Sequence, residues 1–353
     1  MHVIVPEGFD DPGQPTGGNI YDRRVCAGMV EAGWEVLVTT VAAAWPVPGP
    51  GARADLARIV SAIPDGATVL IDGLIASPAA TQLLPHIGRI RMTVLLHMPL
   101  ATVLDTDHDA SAQRSERVVL GAATGVVATS EWTRKQVVTR YAIPAHRVHV
   151  ARPGVDQAAA PPRPVRGHLI CVGVLSHHKG QDLLVEALAG LAELDWQCVL
   201  AGPLDREPGY VEQLQTRITR LGYRHRVQLT GVLTGAALSH EYMTADLLVA
   251  PSRSESYGMT VTEALAHGLP VIAAAVGGLP EALGSTADGT CPGRLVPADD
   301  PAALAAALGD WLSDERYRHQ LRAAARQRRS TLRSWEQTTQ EIMNALTAHV
   351  GLS

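Results

Sequence analysis

The sequence predicts two α/β halves, each a parallel sheet with helices on both faces. Short apolar or β-branched runs alternate with helix-length stretches along nearly the whole chain, a pattern of parallel sheets rather than hairpins. The alternation halts once, between Gln157 and Gly167, where Ala158-Ala159-Ala160 runs into Pro161, Pro162 and Pro164, the composition of a proline-stiffened linker. The length, 353 residues, suits two domains of ordinary size.

Taken in order, His2–Val5 is a short apolar run that reads as a buried strand, followed by a Gly-, Pro- and Asp-rich loop from Glu7 to Gly18. Asn19–Gly33 reads as a helix closed by glycine, and Glu35–Val41 as a β-branched strand. Helix Asp55–Ile63, strand Thr68–Ile71, helix Pro78–Ile87 and strand Met92–Leu96 follow. Helix Ser111–Ala122, strand Gly125–Thr129, helix Glu131–Tyr141 and strand Val148–Val150 complete the first half.

Beyond the linker come strand His168–Val172, helix Gln181–Leu191, strand Gln197–Ala201, helix Tyr210–Leu221 and strand Val227–Leu229. Helix Ala236–Met243, strand Asp246–Ala250, helix Thr260–His267, strand Val271–Ala275 and helix Pro301–Leu312 continue the pattern. Trp335–Val350 is amphipathic, and periodicity does not say which half it packs on. Sheets of this kind bind ligands at the carboxyl ends of their strands, which makes a cleft between two facing halves the expected site.

Composition narrows the function. With 46% hydrophobic and 18% charged residues the chain folds, and a net charge of −5 argues against a nucleic-acid partner. Cys26, Cys171, Cys198 and Cys291 have neither disulfide nor zinc spacing. No basic, apolar leader and no run of ~18 apolar residues is present, so the expected compartment is the cytoplasm, with peripheral membrane contact left open. Gly-x-Gly-x-x-Gly after the first strand, a Gly-x-Ser-x-Gly elbow and a Walker loop are all missing, which weakens NAD-enzyme, esterase and NTPase readings. Of 30 basic side chains only Lys135 and Lys179 are lysine, so arginine usage reflects a coding bias and a surviving lysine is informative.

The most informative segment is Pro251–Pro270. A strand runs into a polar loop that ends at Gly258, and a helix starts at about Met259 and is closed by Gly268 and Pro270. Such a helix start aims free N–H groups of Gly258, Met259 and Thr260 at an anion such as a diphosphate. Glu255 precedes the helix end and Glu263 lies ~6 Å inside it. Two readings stand: Glu255 caps the helix electrostatically and Glu263 is a solvated face residue, or the two carboxylates accept hydroxyls on either side of the diphosphate of a nucleotide sugar.

Glu255 and Glu263 form the Glu-x7-Glu spacing of retaining glycosyltransferases, and the chain resembles family 4 of that class. Further matches are Thr16-Gly17-Gly18, Arg152-Pro153-Gly154-Val155-Asp156, Val172-Gly173 through Lys179-Gly180, Gly277-Gly278-Leu279-Pro280-Glu281 and Ser334-Trp335. The resemblance implies the GT-B fold, two Rossmann-like α/β domains facing across a cleft. Residues 1–158 would bind the acceptor, together with a terminal helix (335–353) that crosses back, and residues 159–334 would bind the donor. It implies a nucleotide-diphosphate sugar as co-substrate, a UDP-sugar in preference to a GDP-sugar, with neither cofactor nor metal. The implied donor contacts are Gly17, Gly18, Gly173, Lys179, Glu255, Tyr257, Gly258, Met259, Thr260 and Glu263, and the implied catalytic groups are His97, Lys179 and Glu255. Relatives often carry an arginine where this chain has Val174, which leaves Lys179 as the main side-chain cation on the diphosphate.

His97 ends a strand, where it is either a satisfied core histidine or, as in many relatives, a contact to the donor sugar. Tyr21 and Trp132 are candidate acceptor contacts, Trp132 equally a packing residue. Asp105, Asp107 and Asp109 read as a solvated loop, an acceptor contact or a metal cluster, in that order. The first 160 residues carry 13 basic and 15 acidic side chains, which favours a small polar or glycosylated acceptor over a strongly anionic one. The rival readings are a silent nucleotide-sugar-binding partner, or a sugar-nucleotide epimerase or phosphorylase on the same fold.

Overall fold

The structure, a computed structural model, describes residues 1–11, 13, 15–42, 45–100, 109–158 and 164–348. It divides into two compact units, one built on Met1–Asp11, Pro15–Gly154 and Arg333–Ser353, the other on Val155–Leu332. The expected boundary at 158/159 thus lies slightly beyond the observed one at 154/155.

Among the described residues the first unit holds six parallel strands: β1 (His2–Pro6), β2 (Leu37–Val41), β3 (Thr68–Asp72), β4 (Arg91–Leu96), β5 (Gly125–Ala128) and β6 (Val148–Val150). Their order is β2-β1-β3-β4-β5-β6, so the winding reverses between β1 and β3. The second unit holds β7 (His168–Val172), β8 (Gln197–Ala201), β9 (Val227–Gly231), β10 (Leu247–Ala250), β11 (Val271–Ala274) and β12 (Gly293–Val296), ordered β12-β11-β10-β7-β8-β9. Here the reversal falls between β7 and β10. At such a switch point neighbouring loops leave the carboxyl edge on opposite faces and open a crevice for ligand.

Both faces of each sheet are covered, which is why the strands are continuous apolar runs. In β3, Val69, Leu70 and Ile71 are all buried, the first and third facing one core and the second the other. The helices of the first unit are α1 (Gly17–Glu31), α2 (Pro50–Ala62), α3 (Gly73–Ala76), α4 (Ala80–Leu83), α5 (Asp109–Ala122) and α6 (Glu131–Tyr141). Those of the second are α7 (Gln181–Ala189), α8 (Pro208–Arg220), α9 (Gly235–Thr244), α10 (Met259–Ala266), α11 (Leu279–Leu283), α12 (Pro301–Ser313) and α13 (Glu315–Arg329).

The last helix, α14 (Trp335–Thr347), belongs to the first unit, where Ile342, Met343, Ala345 and Leu346 join Val3, Val5 and Met29 in one core. A Ser334/Gln337 capping box starts it. Its crossing over α1 is close: a Cβ on Gly28 would stand 2.4 Å from Thr339 Oγ1. A Cβ on Gly154 would stand 2.3 Å from the Trp335 backbone nitrogen, so Pro153-Gly154 and Ser334-Trp335 are two sides of one backbone contact.

Several elements differ from expectation for physical reasons. The Gly17-Gly18 "loop" is the first turn of α1, because Thr16 Oγ1 accepts the Asn19 N–H at 3.0 Å and caps the helix there. The helix expected at Pro78–Ile87 is broken into α4 and a 3-10 turn, Leu84–His86, with Pro85 inside it. The sequence reading has no α11, β12 or α13: α13 is Arg- and Gln-rich and buries only Leu321, Ala324, Ala325 and Arg318, whose guanidinium donates to the Trp311 and Leu312 carbonyls. The linker residues 159–163 lie outside the described residues.

Candidate active site

The second unit's site forms at its switch point. The turn after β7, a 3-10 turn at His177–Lys179, ends at Gly180 in the left-handed region (φ 70°), where a Cβ would come within 2.2 Å of the Pro251 carbonyl. That contact sets the β7 loop directly on the β10 loop. Arg253 fastens them further: its N–H donates to the His178 carbonyl at 2.8 Å, and Nη1 donates to the His177 carbonyl at 2.8 Å. The same guanidinium makes two 2.8 Å hydrogen bonds to Asp182 at the start of α7 and another to Asp299. The hydrogen bonds to Asp182 and Asp299 hold its pKa above the usual range.

Between the joined loops Lys179 Nζ meets Glu255 Oε2 at 2.5 Å, both side chains partly exposed. The Lys179 stem lies over Gly173, whose Cβ would sit 3.5 Å from Lys179 Cδ and Cε. The Glu255 loop is supported by Gly277 and Gly278. Gly278 N–H donates to the Glu255 carbonyl at 3.0 Å, and a Cβ on Gly277 (φ 54°) would overlap that carbonyl at 1.7 Å. The Gly-Gly turn is thus a platform for the loop that carries the carboxylate.

Gly258 (φ 103°) starts α10 with no side-chain cap, leaving the Met259 and Thr260 N–H groups without intrahelical acceptors beside the ion pair. Glu263, one turn on, is half-buried and accepts the Tyr242 O–H at 2.8 Å. Burial raises its pKa to about 7 against the opposing Tyr242 hydrogen bond. Tyr257, just before Gly258, is 5% exposed and its ring packs among the apolar side chains around β10 and α10.

The first unit gathers a different set at its carboxyl edge. His97 follows β4, and its Nε2 lies 2.9 Å from Asp22 Oδ1 on α1. Asp72 ends β3, and one polar atom each from Asp22, Asp72 and His97 fall within 4.8 Å of one another. Gly18 backs the His97 ring, since a Cβ there would stand 3.4 Å from Cδ2, while Gly17 is exposed at the helix start. Tyr21, expected at the acceptor, is instead 1% exposed: its hydroxyl donates to the Ala151 carbonyl at 2.9 Å and its ring meets His97 edge-on. Trp132 is half-buried in the first turn of α6, after the carboxyl end of β5.

Burial disfavours the His97 cation, but the Asp22 charge and hydrogen bond, with Asp72 behind them, outweigh it and raise the pKa to about 9. Burial and the Asp22 charge raise Asp72 to about 7. Asp105 and Asp107 lie outside the described residues, as does the side chain of Asp109. The sequence reading passed over Asp22, Asp72, Tyr242, Asp182 and Arg253. Asp22 alone had a signal: it lies in the stripe Tyr21, Asp22, Val25, Cys26, Met29 that α1 buries.

Residues 161–328 match the family described as Glycosyl transferases group 1. The chain is 31% identical over 251 residues to the D-inositol 3-phosphate glycosyltransferase of Jonesia denitrificans, 65% of this chain and 58% of that protein. It is 34% identical over 229 residues to that of Xylanimonas cellulosilytica, covering 60% and 54%. The chain thus spans little more than half the length of these curated relatives. Among solved structures, sucrose-phosphate synthase of Thermosynechococcus elongatus superposes with a TM-score of 0.78 at 22% identity, covering 100% of this chain and 99% of that one. HepE of Anabaena in complex with UDP-glucose gives 0.78 at 19%, covering 98% and 99%. No helix among the described residues is long and apolar enough to cross a membrane. Two six-stranded parallel sheets and the superposition on these solved structures over nearly the whole chain give it the GT-B fold, and residues 161–328 match the group 1 glycosyl transferases.

Proposed function

We propose that the protein transfers a hexose, with retention of anomeric configuration, from a nucleotide-diphosphate sugar to a small polar or glycosylated acceptor. The observation that carries this reading is the placement of Lys179 and Glu255 against each other at the β7/β10 switch point, beside the uncapped start of α10. Lys179 and the Met259 and Thr260 N–H groups would hold the diphosphate and stabilise the charge that grows on it as the glycosidic bond breaks. Glu255 would then exchange its lysine contact for sugar hydroxyls, and Glu263 would accept from the ribose. From the first unit, His97 would donate to an oxygen of the substrate. A UDP-sugar donor is supported by the likeness to a protein solved with UDP-glucose, and inositol phosphates enter as test acceptors because the curated relatives carry that name.

The test is incubation with UDP-glucose and with GDP-mannose, each with an acceptor panel, following nucleotide release and the anomeric configuration of product. Retained configuration supports the reading, and inversion overturns it. Donor consumed without acceptor, only when phosphate is present or by epimerisation, points to phosphorylase or epimerase chemistry. Tight donor binding with no turnover points to a binding protein.

A further inference from the structure

Asp22 is 2% exposed on the buried stripe of α1, a place where an uncompensated carboxylate is costly. One oxygen, Oδ1, is engaged by His97 Nε2 at 2.9 Å, and the other, Oδ2, is buried with no donor among the described residues. Asp72, 5% exposed, stands beside it and receives the Leu74 N–H on Oδ1 at 2.6 Å. Two buried carboxylates side by side repel unless a cation or a proton lies between them. The histidine is the one basic side chain in this cluster.

The His97 ring is held on its other sides as well. Gly18 backs one face, Tyr21 lies edge-on with ring centroids 5.2 Å apart, and the Thr129 hydroxyl donates to the His97 carbonyl at 3.2 Å. The titratable groups around it are Asp22 and Tyr21 on α1, with Cys26 beside Asp22, and Asp72 at the end of β3. Glu341 and Arg333 act on Tyr21 from the α14 side. With Nε2 committed to Asp22, Nδ1 is the ring atom left for a ligand.

We propose that Asp22 is a positioning residue for His97: it anchors Nε2, balances the ring's positive charge and so presents Nδ1–H as a charged donor to a substrate oxygen. Asp72 adds a second negative charge beside the ring. This rests on the proposed role of His97 in transfer. The elevated proton affinity of His97 agrees with it, since an imidazolium persisting to about pH 9 donates throughout the neutral range.

The test is Asp22→Asn in the full chain, which keeps the side chain's shape and removes its charge. Imidazole nitrogen NMR, with His97 assigned by its absence in His97→Gln, is expected to show titration near pH 9 in the wild type. In Asp22→Asn the midpoint should fall by about 1–3 pH units, the influence of one adjacent charge. Turnover should drop about 10- to 100-fold at pH 8.5, the loss of a charge-assisted hydrogen bond, and largely recover at pH 6. Asp22→Glu should restore part of the alkaline limb. Equal loss at every pH, or an unchanged His97 midpoint, overturns the proposal. Should Asp22→Asn fail to fold, Asp72→Asn reads the same cluster with a smaller downward shift, and no shift overturns it. If the wild type transfers no sugar, the functional reading fails while the titration still decides whether Asp22 holds the charge.

Discussion

The two carboxyl-edge sites solve opposite problems. In the second unit the charged groups are partly exposed and their placement comes from backbone contacts: Gly180 on Pro251, Gly277 and Gly278 under Glu255, and Arg253 across both loops. In the first unit Asp22 and Asp72 are buried, while His97 is as partly exposed as Lys179, and the three are placed by one another's charge. A site that grips a large anion needs donors at fixed positions, which loops locked by glycine contacts provide. A site that must keep a histidine charged needs a buried counter-charge strong enough to outweigh the cost of burial, which helix and strand ends provide. The first arrangement should therefore be broken by changes of shape, and the second by changes of charge.

The largest effect should come from Lys179→Ala, which removes the side-chain cation from the diphosphate loop while Val174 offers no substitute. Turnover with UDP-glucose is expected to fall about 100- to 1,000-fold, measured by nucleotide release alongside a thermal melt. Activity within threefold of wild type would remove Lys179 from the site. Gly277→Ala comes next. It adds a Cβ 1.7 Å from the Glu255 carbonyl at a left-handed φ, so calorimetric donor binding should be lost and the second unit destabilised by about 1–3 kcal/mol. An unaltered donor affinity would separate the glycine platform from the site.

Arg253→Ala should be milder. Its ion pairs are partly exposed, so a stability loss of about 1–2 kcal/mol, some 2–6 °C in melting midpoint, is expected with donor affinity weakened several-fold. If affinity alone changes, Arg253 touches donor directly. The smallest effect is on pH. Glu263 is protonated below about pH 7, a consequence chiefly of burial, and an ionised carboxylate is the better hydroxyl acceptor. Donor affinity should therefore rise a few-fold from pH 6 to pH 8 and level off in Glu263→Gln.

Much of the second site was legible in the sequence because a strand, a polar loop, a glycine and a helix are contiguous there, so spacing along the chain becomes spacing in the site. Lys179 was accessible through its rarity and the glycine after it. The first site was mostly hidden, because Asp22, Asp72 and His97 come from three elements and meet only when β1, β3 and β4 pair in register. The burial of the Tyr21 and Tyr257 rings was hidden for a related reason: an aromatic ring near a motif looks accessible in sequence, while packing buries both.

The sequence by itself determined the class of the fold, the alternation of strands and helices, the glycine positions and the Glu-x7-Glu loop, since these depend on neighbours a few residues apart. Only the tertiary structure decided that α14 returns to the first unit, that Gly277 and Gly278 carry the Glu255 loop, and that an aspartate on α1 meets the histidine after β4. Those depend on contacts between segments tens to hundreds of residues apart, and no local propensity encodes which surfaces the packed sheets bring together.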